Sequence, residues 1–144
     1  MNDSEMFKRA IPGPLPELDD INHFFWTSGE DGLLRFQQCD DCHHWLHPPS
    51  VCCPKCLSEK LTPQAVSGQA TVGAVSINYQ PWMPDMKAPY AIAIVELDEQ
   101  PGLHLTTNIV GCDPLSVFIG QRVKVVFEPA EDVWLPLFTP ITEA

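Results

Sequence analysis

Apolar and polar positions alternate through most of the C-terminal half of the chain. Between 70 and 79 the alternation is loose, through Val72, Ala74, Val75, Ile77 and Tyr79, with Gly68 and Gly73 placed where a bend or bulge would shift its phase. The stretch 90–97 is a strongly apolar strand, and 98–102 is its turn. A third strand over 103–110 carries Leu103, Leu105, Thr107 and Ile109 on one face. A fourth over 122–128 sets Val123, Val125 and Phe127 against Lys124 and Val126, and a fifth over 133–139 is weakened by Pro136. Five strands joined by short polar turns, with no helical period between them, predict a small closed barrel.

The N-terminal third reads differently. Pro12, Pro14 and Pro16 make 1–16 an extended arm. Asp19 or Asp20 then caps a short helix in which Ile21, Phe24 and Phe25 share a face, closed by Gly29 and Gly32. Phe24, Phe25 and Trp26 together exceed what a small barrel needs for its own core. Two readings stand side by side: a helix that covers its own domain, or an aromatic face that contacts another chain. A short strand over 33–38 leads into 39–60, which has little hydrophobic periodicity and would not fold on a core alone. The organisation expected is an arm and helix over 1–32, a metal-dependent module over 33–62 and a barrel over 63–144. The usual five-stranded solution for such a barrel is the oligonucleotide/oligosaccharide-binding (OB) fold.

The module over 33–62 owes its reading to cysteine. Five of the six cysteines fall between Cys39 and Cys56. Cys39-Asp40-Asp41-Cys42 and Cys53-Pro54-Lys55-Cys56 are two Cys-x-x-Cys knuckles with ten residues between them. Each tight turn presents two sulfurs, and two turns supply a tetrahedron of four thiolates, which suits zinc. Four protein ligands leave no open position, so the zinc is expected to be structural and to supply folding energy. The gap is shorter than the common ~15–20 residues, so the ribbon should be compact. Cys52 could replace Cys53, but Pro54 favours a knuckle starting at Cys53. His43, His44 and His47 are alternative ligands that four thiolates make unnecessary. A thioredoxin-like redox pair would need a βαβ pattern that neither knuckle has around it.

Composition narrows the function classes. The formal charge is -11, from 19 acidic and 8 basic residues. That balance disfavours phosphate-backbone binding and adhesion to anionic lipid. Fifteen prolines argue against long helices. No run of about 18 apolar residues suggests a membrane-spanning helix, and the N-terminus does not read as a secretory signal, so a cytoplasmic setting with reduced thiols is expected.

Taken in order, the local motifs resemble one family. They are His23-Phe24-Phe25-Trp26 leading to Gly32-Leu33-Leu34, then Gln38-Cys39-x-x-Cys42, Pro48-Pro49 and Cys53-Pro54-x-Cys56. Pro89 through Leu97, Val110-Gly111-Cys112-Asp113-Pro114, Ile119-Gly120 and Val125-Val126-Phe127-Glu128-Pro129 follow. This series, from about Pro14 to Pro140, is similar to the zinc-ribbon/OB-fold family first filed as domain-of-unknown-function family 35. The position after Cys42, commonly Gly in that family, is His43 here. The resemblance implies a mostly β fold: an N-terminal helical segment, a rubredoxin-like zinc ribbon and a five-stranded OB barrel. It also implies an accessory subunit of acyl-CoA enzymes, partnered by thiolase-superfamily proteins: thiolases, acyltransferases or lipid-transfer-protein-like aldolases of steroid side-chain degradation. Some relatives are joined to hotdog-fold enoyl-CoA hydratases. The implied role is to complete the assembly and help hold the CoA portion of a substrate.

Three functions follow for comparison. For the accessory role, Phe24, Phe25 and Trp26 are candidate partner contacts. Trp82, Lys87 and Tyr90, in a loop rich in Met and aromatics, are candidate contacts to CoA or to the partner. The loop also reads as a proline-stiffened hairpin with no ligand. A free-standing OB module for nucleic acid would need a basic stripe with interleaved aromatics, whereas Lys8, Arg9, Arg35, Lys55, Lys60, Lys87, Arg122 and Lys124 are scattered. A self-sufficient enzyme would need Cys112 activated by a base such as His104, yet Cys112 lies in a Gly-Cys-Asp-Pro turn that suits a small buried residue. The expectation is therefore a chain without catalytic residues of its own.

Overall fold

The computed structural model describes residues 14–81 and 87–141. Most of the described chain is strand, arranged as a three-stranded sheet followed by a closed five-stranded barrel.

The segment before the sheet is more broken than its apolar spacing predicts. Asp19 fixes the turn before the helix and does not cap it: Oδ1 accepts from the backbone N–H of Ile21 at 2.8 Å and of Asn22 at 2.7 Å, while the helix N-cap is Asn22, with no side-chain cap. The α-helix that follows, α1, is a single turn, His23–Trp26. Thr27 ends it by turning its hydroxyl back onto the His23 carbonyl at 2.7 Å. A 3-10 turn over Ser28–Asp31 continues, and Gly32 closes it at φ 83. Gly29 has a different task from closing the helix. A Cβ there would collide with the ring of Phe127, so only a glycine lets this segment lie against the barrel.

The small sheet has the order β2-β1-β3, from Arg35–Cys39 (β1), Trp45–Leu46 (β2) and Leu61–Ala65 (β3). The apolar pattern missed β2 and β3, because one is two residues long and the other is polar with Pro63 inside it. Pro63 is tolerated because β3 is an edge strand. Leu33 stays outside β1 and exposed. Across to the barrel, Gln100 acts as a substitute strand for β2. Its Oε1 accepts from the Trp45 N–H at 3.0 Å and its Nε2 donates to the Trp45 carbonyl at 2.9 Å.

The barrel runs Gln69–Asn78 (β4), Tyr90–Leu97 (β5), His104–Ile109 (β6), Arg122–Ala130 (β7) and Val133–Pro140 (β8), closed in the order β4-β5-β6-β8-β7. The expected irregularity is present: the β4–β5 register shifts between Val72 and Ala74, at Gly73. Ala91, Ala93, Val95 and Leu97 point inward, which leaves Ile92 and Ile94 on the outer face. β8, the strand weakened by Pro136, is the surprise, because residues 135–139 are all buried. One side faces the barrel interior and the other is covered by α1 and the 3-10 turn. β8 meets β6 through a single parallel pair, Ile109 with Phe138. At the Pro136 carbonyl the partner is the Thr107 hydroxyl, at 2.9 Å.

The core is continuous. Phe25 from α1, Leu34 and Phe36 from the sheet region, and Val72, Val95, Leu97, Val123 and Phe138 from the barrel belong to one buried cluster. Among the described residues no helix is long and apolar enough to cross a membrane.

Candidate metal centre and the face beside it

The two knuckles are built alike. The Cys39 N–H donates to the His44 carbonyl at 2.9 Å, and the Cys53 N–H donates to the Ser58 carbonyl at 2.8 Å. The His43 N–H returns to the Cys39 carbonyl and the Leu57 N–H to the Cys53 carbonyl, each at 2.9 Å. Backbone amides also face the sulfurs: Cys42 N–H to Cys39 Sγ at 3.5 Å, Lys55 N–H to Cys53 Sγ at 3.4 Å. The residue after each knuckle must adopt a left-handed conformation, with φ 64 at His43 and φ 65 at Leu57. This explains why Gly suits the first of these positions and shows that His43 keeps the same turn. His43→Gly should therefore retain zinc and stabilise the chain by ~0.5–1 kcal/mol, as relief of left-handed strain outweighs the added freedom of the unfolded chain. Urea unfolding of the zinc-loaded variant checks this, and a loss of stability would show that the imidazole makes a contact that matters.

The four sulfurs of Cys39, Cys42, Cys53 and Cys56 lie within 4.8 Å of one another. Cys39 and Cys56 are 3.5 Å apart, and Cys42 and Cys53 are 3.6 Å apart. A tetrahedral zinc with Zn–S near 2.3 Å has sulfur–sulfur edges of about 3.8 Å, whereas a disulfide needs about 2.05 Å. The cluster fits the ion. Its electrostatics ask for one as well. The N–H of Cys42, then that of Asp41, draw the Cys39 thiol down to about 7. Cys56 goes the other way, up to about 12: the Ser58 N–H opposes this, but partial desolvation and the sulfurs of Cys39, Cys42 and Cys53 outweigh it. Four thiolates at this spacing repel one another, and a divalent cation removes that conflict.

Neighbouring candidates take other places. Cys52 is half-buried and lies outside the cluster, as do the histidines. His47 sits between Phe25 and Phe36, with ring centroids 4.7 and 4.9 Å away. Burial pushes its pKa down to about 4, and its Nδ1 is enclosed without a hydrogen-bond partner among the described residues.

The aromatic trio divides. Phe25 is buried to 1% exposure against Phe36 and His47, so it anchors α1 and is not a surface for another chain. That corrects the reading of all three as contacts. The near 100° step between helical residues turns Phe25 inward and leaves Phe24 and Trp26 half-buried at its sides. Trp26 lines two concavities that no single motif announces. One, of about 310 Å³, opens between α1 and the Pro48-Pro49 turn. The other, of about 140 Å³, lies over the gap between β6 and β8. Lys87 is exposed and Tyr90, the first residue of β5, is half-buried, while Trp82 lies outside the described residues.

The nucleophile–base pairing considered for Cys112 and His104 has little support. His104 Nε2 faces Glu96 Oε1 at 3.8 Å. Burial raises the Cys112 thiol and the Asp113 charge adds to this, against a hydrogen bond from Ser116. That is the opposite of activation.

Comparison with known proteins places these features in a family. Residues 26–62 match the model described as "ChsH2, rubredoxin-like zinc ribbon domain", and residues 63–128 match "ChsH2, C-terminal OB-fold domain". A DUF35 domain-containing scaffold protein of Methanothermobacter thermautotrophicus is 36% identical over 69% of this chain and 74% of its own length. A probable enoyl-CoA hydratase alpha subunit of Thermomonospora curvata is 33% identical over 88% of this chain, and this chain spans 40% of that protein. Among solved structures, one titled "Ltp2-ChsH2(DUF35) aldolase" superposes with a TM-score of 0.78 at 32% identity, covering 88% of this chain and 98% of that one.

Proposed function

We propose that this chain, which belongs to the DUF35 family of ChsH2-type zinc-ribbon and OB-fold proteins, is a non-catalytic accessory subunit of a thiolase-superfamily acyl-CoA enzyme. That enzyme is a thiolase, an acyltransferase or a steroid side-chain aldolase. The observation that carries the reading is the match to the ChsH2(DUF35) aldolase structure over 98% of that chain. The zinc ribbon is a structural clamp with all four positions filled by sulfur, so it offers no open site for a substrate. The one thiol considered as a nucleophile is held above its ordinary range. The reacting groups would come from the partner. This chain would complete the assembly and, through Lys87 and Tyr90, help hold the CoA thioester.

The relatives named as enoyl-CoA hydratase alpha subunits favour a second reading, in which the partner is a hotdog-fold hydratase. One experiment separates the two. The tagged, zinc-loaded chain is used to capture partners from its native extract, and proteins present in stoichiometric amount are identified by mass spectrometry. A thiolase-like or lipid-transfer-protein-like subunit supports the first reading, and a hotdog subunit supports the second. No stable acyl-CoA enzyme subunit would sink both. In the recovered complex, Lys87→Glu is expected to raise KM for the CoA thioester by about tenfold with kcat unchanged, the mark of a contact made equally in ground and transition states. An unchanged KM would remove Lys87 from the site.

A further inference from the structure

We infer that the groove straddling Trp26 is the seat for a basic side chain of the partner subunit, Arg or Lys, followed closely by an apolar one. This rests on the accessory-subunit reading and names the surface through which it would act.

The larger cavity, about 310 Å³, is walled by Ile21, Phe25, Trp26, Pro48 and Pro49, and Asp19 is the charged residue on its lining. An aromatic and proline wall beside a carboxylate suits a long aliphatic stem ending in a cation, which also gains from the face of a tryptophan. The Ile21 and Asn22 amides engage Asp19 through Oδ1 alone. The surrounding charge has one sign. Glu17, Asp20, Glu30 and Asp31 flank the groove in sequence, and no Lys or Arg occurs between Glu17 and Leu34. The first cation after them, Arg35, is tied to Asp31 at 2.6 Å. His47, on the same lining, is neutral at neutral pH because burial holds its pKa low, so it adds no competing charge. On the other side of Trp26, Leu105, Leu135 and Leu137 share the lining of the smaller cavity with Thr106, Thr107 and Asn108, a mostly apolar seat that suits an apolar side chain. An anionic ligand would meet the Asp19 carboxylate and no Lys or Arg on this lining. Tryptophan and arginine are also the residue types that dominate interface energetics.

The test uses the full, zinc-loaded, isotope-labelled chain in an NMR titration. The probes are the blocked tripeptide Arg-Gly-Leu and the same peptide with citrulline, uncharged but nearly the same shape, in place of arginine. The Trp26 indole N–H and the Ile21 and Asn22 amides should shift saturably, with the arginine peptide bound about fivefold more tightly. Asp19→Asn keeps an Oδ1 for the same two amides and removes only the charge, so it should bring that ratio to about one. Thr106→Trp, at an exposed β6 position lining the smaller cavity, should weaken both peptides without disturbing the core. Equal binding of the two peptides by the parent chain, or shifts scattered over the acidic surface, would overturn the inference. Partner capture separates this from the function. Equal capture by parent and Asp19→Asn at matched concentration overturns the groove and leaves the accessory reading intact. No partner for either chain sinks the accessory reading, and the peptide ratio still decides the groove.

Discussion

Cys39→Ser is expected to produce a chain that binds no zinc at neutral pH and does not accumulate as a soluble folded protein. Cys53→Ser should do the same. The argument is one of magnitudes. Structural zinc contributes on the order of 10–16 kcal/mol of apparent binding energy at neutral pH. The net stability of a domain is about 5–15 kcal/mol. Residues 39–60 hold few buried apolar side chains besides Leu46, so nothing else offsets the loss. Nor would the damage stay in the ribbon, because Leu34 and Phe36 belong to the same buried cluster as the barrel interior. The buried ligands, Cys39 and Cys53, should be less tolerant than Cys42 and Cys56, which reach the surface. Metal analysis of the parent chain should give one zinc per chain, and Cys52→Ser and Cys112→Ser should keep it. Acid and chelator should mimic the substitution, since zinc binding requires thiolates and weakens as they protonate. A stable, metal-free, normally folded Cys39→Ser chain would contradict the structural role.

How much of this could be read beforehand depends on how local each signal is. The knuckles were legible because two sulfurs within one turn constrain each other over four residues, and Pro54 decided between Cys52 and Cys53. The barrel strands were legible where one face alternates, as at Ala91, Ala93 and Val95. β8 was legible as a strand but its full burial was not, because both of its faces are covered, so alternation disappears and Pro136 looks like a breaker. β2 and β3 left no pattern because β2 is only two residues long and β3 is a largely polar edge strand with a proline inside it. Gly29 was assigned to ending a helix, when what it permits is the approach of Phe127, a contact about a hundred residues away in sequence. The groove at Trp26 draws on α1, the turn after β2, β6 and β8. No window of sequence contains it.

Phe25→Ala is expected to cost about 3–5 kcal/mol of folding stability, the usual loss for a fully buried phenylalanine. The ring is 1% exposed, stacks on Phe36 with centroids 5.8 Å apart, meets His47 at 4.7 Å and holds Trp26 edge-on at 4.9 Å. Truncating it would leave a void beside the 310 Å³ cavity, and water would reach the enclosed Nδ1 of His47. That supplies a second readout. His47 is held near 4 by burial, below its ordinary 6.5, so the unfolded chain binds a proton between those values that the folded chain does not. Its contribution to stability is therefore complete above about pH 6.5 and is lost as pH falls towards 4. His47→Phe should flatten this part of the profile in the parent chain, which separates it from acid release of zinc. In Phe25→Ala the same difference should shrink, because a hydrated imidazole titrates near its ordinary value in both states. Half-exposed Phe24 should cost no more than about 1 kcal/mol on truncation. Urea unfolding of the zinc-loaded chains at a series of pH values measures all of this. A Phe25→Ala chain as stable as the parent but unable to hold its partner would restore Phe25 as a contact residue. The expected result makes it the post on which Trp26 is mounted.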